Sequence, residues 1–187
     1  MASWLSLAWD IWLWLLMARL WMQYYCAPYH HPVSQWVIRP TKWALSPLQR
    51  YLPKVAGIDL AVVVVFGLAA FLKYATISYV MFGHAPALLA ALVLVVADFF
   101  EKVIYFFSYL IILRAILSWF DPSPRAPMMQ MLVLVTEPLM RWGRRRIPWR
   151  LGRLDMSTLV LVVMLQLVCF VGVQPMMHYG LESFNRL

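Results

Sequence analysis

The sequence predicts an all-α membrane protein with four transmembrane helices, arranged as two parallel repeats of helix, interfacial amphipathic helix and helix. Three observations predict it. Of 187 residues, 64% are hydrophobic and 13% charged, with a mean hydropathy of +0.73, whereas soluble domains run near 45–50% apolar and about 25% charged. The apolar residues gather into runs close to the ~20 residues that cross ~30 Å of hydrocarbon at ~1.5 Å per residue. Finally, a span, a basic segment and a second span occur twice along the chain.

The first span covers about 4–25 and carries Asp10 and Arg19. Its Trp and Tyr residues suit the two membrane–water interfaces. The first cation is Arg19, so no basic leader precedes the run and it is expected to stay attached as a span. Residues 27–57 are too polar and too rich in Pro to cross. The second span covers 58–82, with Asp59 at its start and Lys73 inside. An apolar linker, 83–97, is either interfacial or an extension of the third helix. Spans at about 98–120 and 154–173 then flank a second basic segment, 121–153, and a short tail follows from 175 to 187. As one helix, 86–120 would measure about 52 Å, longer than the hydrocarbon core, yet 86–97 alone is too short to cross. Four crossings place both basic segments on one face, as the positive-inside rule requires; five would separate them.

A shift of 95 positions supports the duplication. It places Arg19 on Arg114, Pro32 on Pro127, Gln35 on Gln130, Thr41 on Thr136, Arg50 on Arg145, Pro53 on Pro148 and Gly57 on Gly152. One inserted residue then brings Asp59 onto Asp155. Each half holds an even number of crossings, so the halves share one orientation, the parallel type of membrane repeat.

Eleven of the 16 cations lie in the two segments: Arg39, Lys42, Arg50 and Lys54 in one, and Arg125, Arg141, Arg144, Arg145, Arg146, Arg150 and Arg153 in the other. Charge alone could suggest nucleic acid, but no recognition motif accompanies it, so no nucleic-acid contact is expected. Apolar Val33, Trp36, Val37, Trp43 and Ala44 recur at helical spacing in the first segment, as do Met131, Leu132, Val135 and Leu139 in the second. Such helices lie along the interface with their cations among anionic headgroups. Pro40, Pro47 and Pro138 are expected to divide them into shorter pieces. Topology anchoring is the bland role; lipid or partner binding through Arg50, Arg141, Arg144, Arg145, Arg146 and Arg150 is the sharper one.

Ionisable groups inside spans are costly and need partners or water. Arg19 and Arg114 either snorkel to the interface or pair with Asp59 and Asp155. Those aspartates also suit helix N-caps, so a combined cap and clamp closing each half is the sharper expectation. Asp10 and Lys73 reach comparable depth on antiparallel spans, and Asp98 and Lys102 stand four apart with Glu101 beside them. These charges either neutralise one another or form a cation path through Asp10, Lys73, Asp98 and Glu101. Lys73 meets only Val168 or Cys169 in the repeat, which weighs against a symmetric path.

No catalytic constellation is visible: there is no phosphate loop, nucleophile elbow or zinc motif. Cys26 with His30 and His31 makes a weak metal set without a repeat counterpart. The expectation is therefore a chain that is not an enzyme and carries no metal or cofactor. Cys169 reads as a small packing residue.

The motifs Arg114-Ala-Ile-Leu-Ser-Trp-Phe, Thr136-Glu-Pro-Leu-Met, Arg144-Arg-Arg-Ile-Pro148 and Leu154-Asp-Met-Ser157 resemble the YggT family, also called YlmG. The first half echoes them with Arg19-Leu-Trp-Met-Gln, Pro32-Val-Ser-Gln35, Ser46-Pro-Leu-Gln-Arg50, Leu52-Pro53 and Gly57-Ile-Asp59. The chain departs from the pattern at Trp142, at Gly152-Arg153 and at Trp43, which affects local loop shape. The resemblance implies a small protein of the bacterial inner membrane without an accepted catalytic activity. Its relatives are associated with osmotic tolerance and cation uptake, with cell division, and with assembly of plastid membrane complexes.

Two functional expectations follow. The first is a non-catalytic scaffold or assembly factor whose cytoplasmic basic helices bind anionic lipid or protein partners, with a homo-oligomer allowed and both termini outside. The alternative is a small cation transporter or channel-like protein, potassium being the expected ion.

Overall fold

The computed structural model describes residues 2–25, 32–55, 57–120, 127–146, 150–151 and 154–184. The described residues are mostly helical, with two short antiparallel strand pairs among them. Among the described residues, three stretches are long and apolar enough to cross a membrane: Trp4–Tyr24, Leu60–Phe82 and Thr158–Ser183. The fold divides into two compact units, Met1–Lys102 with Gly172–Leu187, and Val103–Val171.

The first unit is built on α1 (Ala2–Tyr24) and α3 (Leu60–Phe82). Leu13, Leu16, Met17 and Leu20 recur at helical spacing on α1 and are buried, as are Val62, Val65, Phe66, Ala69 and Ala70 on α3. Alanines in the second stripe let neighbouring backbones approach closely, the usual packing device of helices in lipid. Between them in sequence lies α2 (Pro32–Leu45), which packs on both through buried Thr41 and Leu45. A 3₁₀ turn (Leu48–Arg50) and a hairpin of β1 (Lys54–Val55) with β2 (Ile58–Asp59) lead into α3. Gly57 turns that hairpin at φ +82°, a conformation costly for residues with a β-carbon, and the Tyr24 ring lies against it.

Asp59 caps α3 by accepting from the Ala61 amide at 3.0 Å, and Gly83, left-handed at φ 75°, closes its other end. Hence the second helix begins at Leu60 rather than 58, because Ile58 and Asp59 are drawn into β2.

Helix α4 runs unbroken over Leu88–Phe120. Residues 88–97 therefore extend the third helix, resolving the two readings of the linker in favour of one long element. In the second unit its later part is joined by α5 (Pro127–Arg146), the pair β3 (Arg150–Leu151) and β4 (Leu154–Asp155), and α6 (Met156–Val168). Ile111, Met140 and Leu161 form its core, with Gly143 admitting the Leu161 side chain at 3.5 Å.

Two expectations are corrected. Pro40 and Pro138 do not divide their helices: α2 and α5 pass through both. Each proline releases only the carbonyl four residues back, and those residues, Trp36 and Leu134, face outward. The segment from 175, expected as a tail, is instead helical. A π-helical turn at Cys169–Val173 precedes α7 (Gln174–Phe184). Pro175 has no amide to give the carbonyl of Val171, and a wider turn is a known way to pass such a residue without ending the helix.

Candidate functional site

Four charges meet in the first unit. Lys73 of α3 lies 2.8 Å from Asp10 of α1 and 3.4 Å from Asp98 of α4. Lys102, one turn after Asp98, lies 2.9 Å from Asp10 and 3.1 Å from Asp98. Each lysine thus touches both aspartates, and the quartet sums to zero. Asp98 is fully enclosed, the lysines nearly so, and only Asp10 opens outward, with its side chain 33% exposed. The Tyr74 ring stands 5.1 Å from the Lys73 ammonium, and the Trp14 ring 5.9 Å from that of Lys102. These are cation–π distances that offset part of the cost of desolvation. Glu101, half-buried on α4, lies outside the four ion pairs of the quartet. The expected pairs Asp10–Lys73 and Asp98–Lys102 both form, fused into one cluster.

Arg19 bonds to α2 rather than to Asp59, and Arg114 has partners on α5. Arg19 donates to Thr41 Oγ1 at 2.7 Å and to the Ile38 carbonyl at 3.2 Å. Arg114 donates to Thr136 Oγ1 at 2.9 Å and to Glu137 at 3.0 Å. Both threonines are fully buried, and their hydroxyls donate in turn to carbonyls one turn back, at Val37 and Leu132. Asp59 spends one oxygen on its cap and the other on Gln49 at 2.6 Å. The cap is therefore present at Asp59, whose two oxygens go to Ala61 and Gln49 while Arg19 bonds Thr41 of α2; the expected partner of Arg114, the Asp155 side chain, falls outside the described residues. The side chain of Arg150 also lies outside the described residues, as do Cys26, His30 and His31.

Sequence reasoning passed over Thr41, Thr136, Gln49 and Glu137. The signal for the threonines was present, since they and the two arginines superpose under the same shift.

Glu137 bridges Arg114 and, at 3.4 Å, Arg141. Burial opposes its ionisation, but the Arg114 hydrogen bond and charge outweigh it and hold the carboxyl below the usual range. Its folded value thus lies below the unfolded one. The contact contributes stability above the ordinary glutamate range and loses it as pH falls through the lowered value. Acidifying the purified chain below about pH 4 is expected to lower its melting temperature, and Glu137→Gln should flatten that dependence. Identical acid profiles for the two would refute this account.

Most of the other cations among the described residues are exposed. Arg39, Lys42 and Arg50 are exposed in the first unit, as are Arg141, Arg145 and Arg146 in the second, with Arg144 half-buried. A model of the CCB3/YggT family matches residues 1–80 and 93–176. The chain belongs to this family. Among CCB3/YggT relatives, an uncharacterised protein from Vibrio alginolyticus, in a proC 3′ region, is 30% identical over 89% of this chain and 89% of its own length. The uncharacterised protein YggT of Escherichia coli K12 is 28% identical, covering 88% of this chain and 84% of its own. An uncharacterised Pseudomonas aeruginosa protein, PA0392, is 32% identical over 85% and 81%. No solved structure matches this CCB3/YggT chain.

Proposed function

We propose that this CCB3/YggT protein is a non-catalytic organiser of the bacterial inner membrane, in which basic interfacial helices are lashed to the spans and hold a docking surface in place. The observation that carries this reading is the pair of arginine–threonine bonds. Each joins a helix of α1 or α4 to the amphipathic helix 22 residues onward, at Thr41 or Thr136. An amphipathic helix tethered only by its ends would wander; one bonded through a fully buried hydroxyl presents its outer cations in a fixed array. On α5 that array is Arg141, Arg145 and Arg146 with Arg144 beside them, suited to an acidic segment of a protein partner.

Four crossings, two same-way-round halves and a cytoplasmic location for both basic helices complete the proposal. The equal spacing of the two bonds supports them. So do the two hairpins in matching places, Lys54 opposite Asp59 and Arg150 opposite Asp155, and the two similar lengths of family match. Reporter tags at Lys54 and Arg150 on opposite faces of the membrane would overturn the arrangement.

The cation-path reading is weaker, because a quartet that sums to zero leaves its two aspartates already satisfied by lysines. The deciding experiment compares two variants. Replacing Arg141, Arg144, Arg145 and Arg146 by glutamine should strip partner proteins from the chain in mild detergent. In liposomes, the unaltered chain should pass no potassium beyond protein-free vesicles. A potassium flux that disappears in Asp10→Asn, with partner retention indifferent to the arginines, reverses the choice.

A further inference from the structure

We propose that the outer face of α2 is a binding site for the headgroups of anionic phospholipids, distinct from the arginine array of α5. This rests on reading the chain as a membrane protein with interfacial helices. The exposed residues of α2 include Gln35, Trp36, Arg39 and Lys42, with Trp43 at the edge of the same face, largely exposed but touching α1. Their spacing puts them on adjacent stripes of one helix face. Trp36 is 81% exposed and Trp43 is 72% exposed. Two indole rings so open to water would form an apolar patch of the kind that marks an interaction site.

The cations say which site. Arg39 lies between the two rings in sequence, held by Gln35 Oε1 at 3.3 Å, and Lys42 is next to Trp43. Indoles favour the level of the headgroups, where one edge meets acyl chain and the other meets polar groups. Arginine and lysine at that level meet phosphate. An acidic protein would satisfy the cations but leave two exposed tryptophans needing apolar partners; a lipid surface satisfies both at once. Trp43 also stacks near Trp12 of α1, with ring centroids 5.7 Å apart, so the end of α2 lies against the middle of a long apolar helix. That places the face beside hydrocarbon rather than in bulk solvent. The buried side is already committed, through Thr41 and Leu45, to the helices beneath.

The test uses the full chain in mild detergent, offered equal amounts of phosphatidylglycerol and phosphatidylcholine, with retained lipids counted by native mass spectrometry. The unaltered chain should prefer phosphatidylglycerol, and added salt should weaken the preference. Removing one cation at such a surface changes affinity about fivefold, so Arg39→Gln with Lys42→Gln should reduce the preference by at least about tenfold. Both side chains are exposed, so helix content and melting temperature should hold. Glutamine at Arg141, Arg145 and Arg146 should leave the preference largely in place. A preference untouched by the α2 pair but lost with the α5 set overturns this site and leaves a basic docking array on α5. No preference in the unaltered chain removes the lipid ligand altogether, and loss of fold in the α2 pair contradicts the exposure on which the site depends.

Discussion

Replacing Lys73 with methionine is expected to be the most damaging single change in this protein. The two side chains have similar length, so packing is nearly preserved and the loss is electrostatic. Removing the Lys73 ammonium leaves Lys102 alone against Asp10 and Asp98, with Asp98 fully enclosed. Breaking a buried ion pair by deleting one partner costs about 3–5 kcal/mol, because the other charge remains buried without compensation. Thermal unfolding of the purified chain in detergent should register a loss of that size, with reduced yield of folded protein. Adding Asp98→Asn restores neutrality and should recover a large part of the loss. A double variant as unstable as Lys73→Met alone would show that charge balance is not what the cluster provides.

Gly180→Ala is expected to have the next largest effect, and its sign is informative. Alanine is the better helix former by about 0.8–1.0 kcal/mol, so propensity alone predicts a gain. A β-carbon at Gly180, however, would stand 2.6 Å from Cγ and Cδ2 of Leu94. Leu94 is completely buried in a cluster with Tyr74 and Ala90, and Met177 of α7 packs on the same cluster. With nowhere for that leucine to retreat, overpacking costs on the order of 1–3 kcal/mol. The melting temperature should therefore fall. Combining Gly180→Ala with Leu94→Ala should cost less than the separate effects added together, since the second change opens the space that the first requires. Strict additivity would mean that α7 does not seat on Leu94 as described.

The sequence was most readable where one physical rule acted alone. Asp10 and Lys73 declare themselves because each is costly in an apolar helix and the antiparallel count brings them level. Asp98 and Lys102 declare themselves through four-residue spacing. That the two pairs merge was not legible, because it depends on how α4 is rotated about its axis, and apolar residues spread around the helix do not fix that angle. Arg19 misled for a different reason. A charge invites an opposite charge, so Asp59 drew the assignment, while Thr41, already matched to Thr136 by the repeat, was given no role. Which neighbour an arginine finds depends on where the amphipathic helix folds back, and no local pattern records that. Proline rules failed in a consistent way. Pro40 and Pro138 each signalled an interruption, yet α2 and α5 pass through them, with exposed Trp36 and Leu134 one turn back.

The chemistry of Asp10 also bears on how the chain is made. Asp10 precedes Lys73 by 63 residues, and Lys73 precedes Asp98 by 25. At about 5–20 residues per second, α1 is complete several seconds before any lysine reaches its carboxylate. Under the membrane reading proposed above, the first helix carries an unmatched acid during that interval and is a poor candidate for release into lipid. Its natural waiting place is beside the insertion machinery, until α3 and the start of α4 arrive. Biogenesis is then a group departure rather than a helix-by-helix one, and a chain truncated before Lys73 should be held back or degraded.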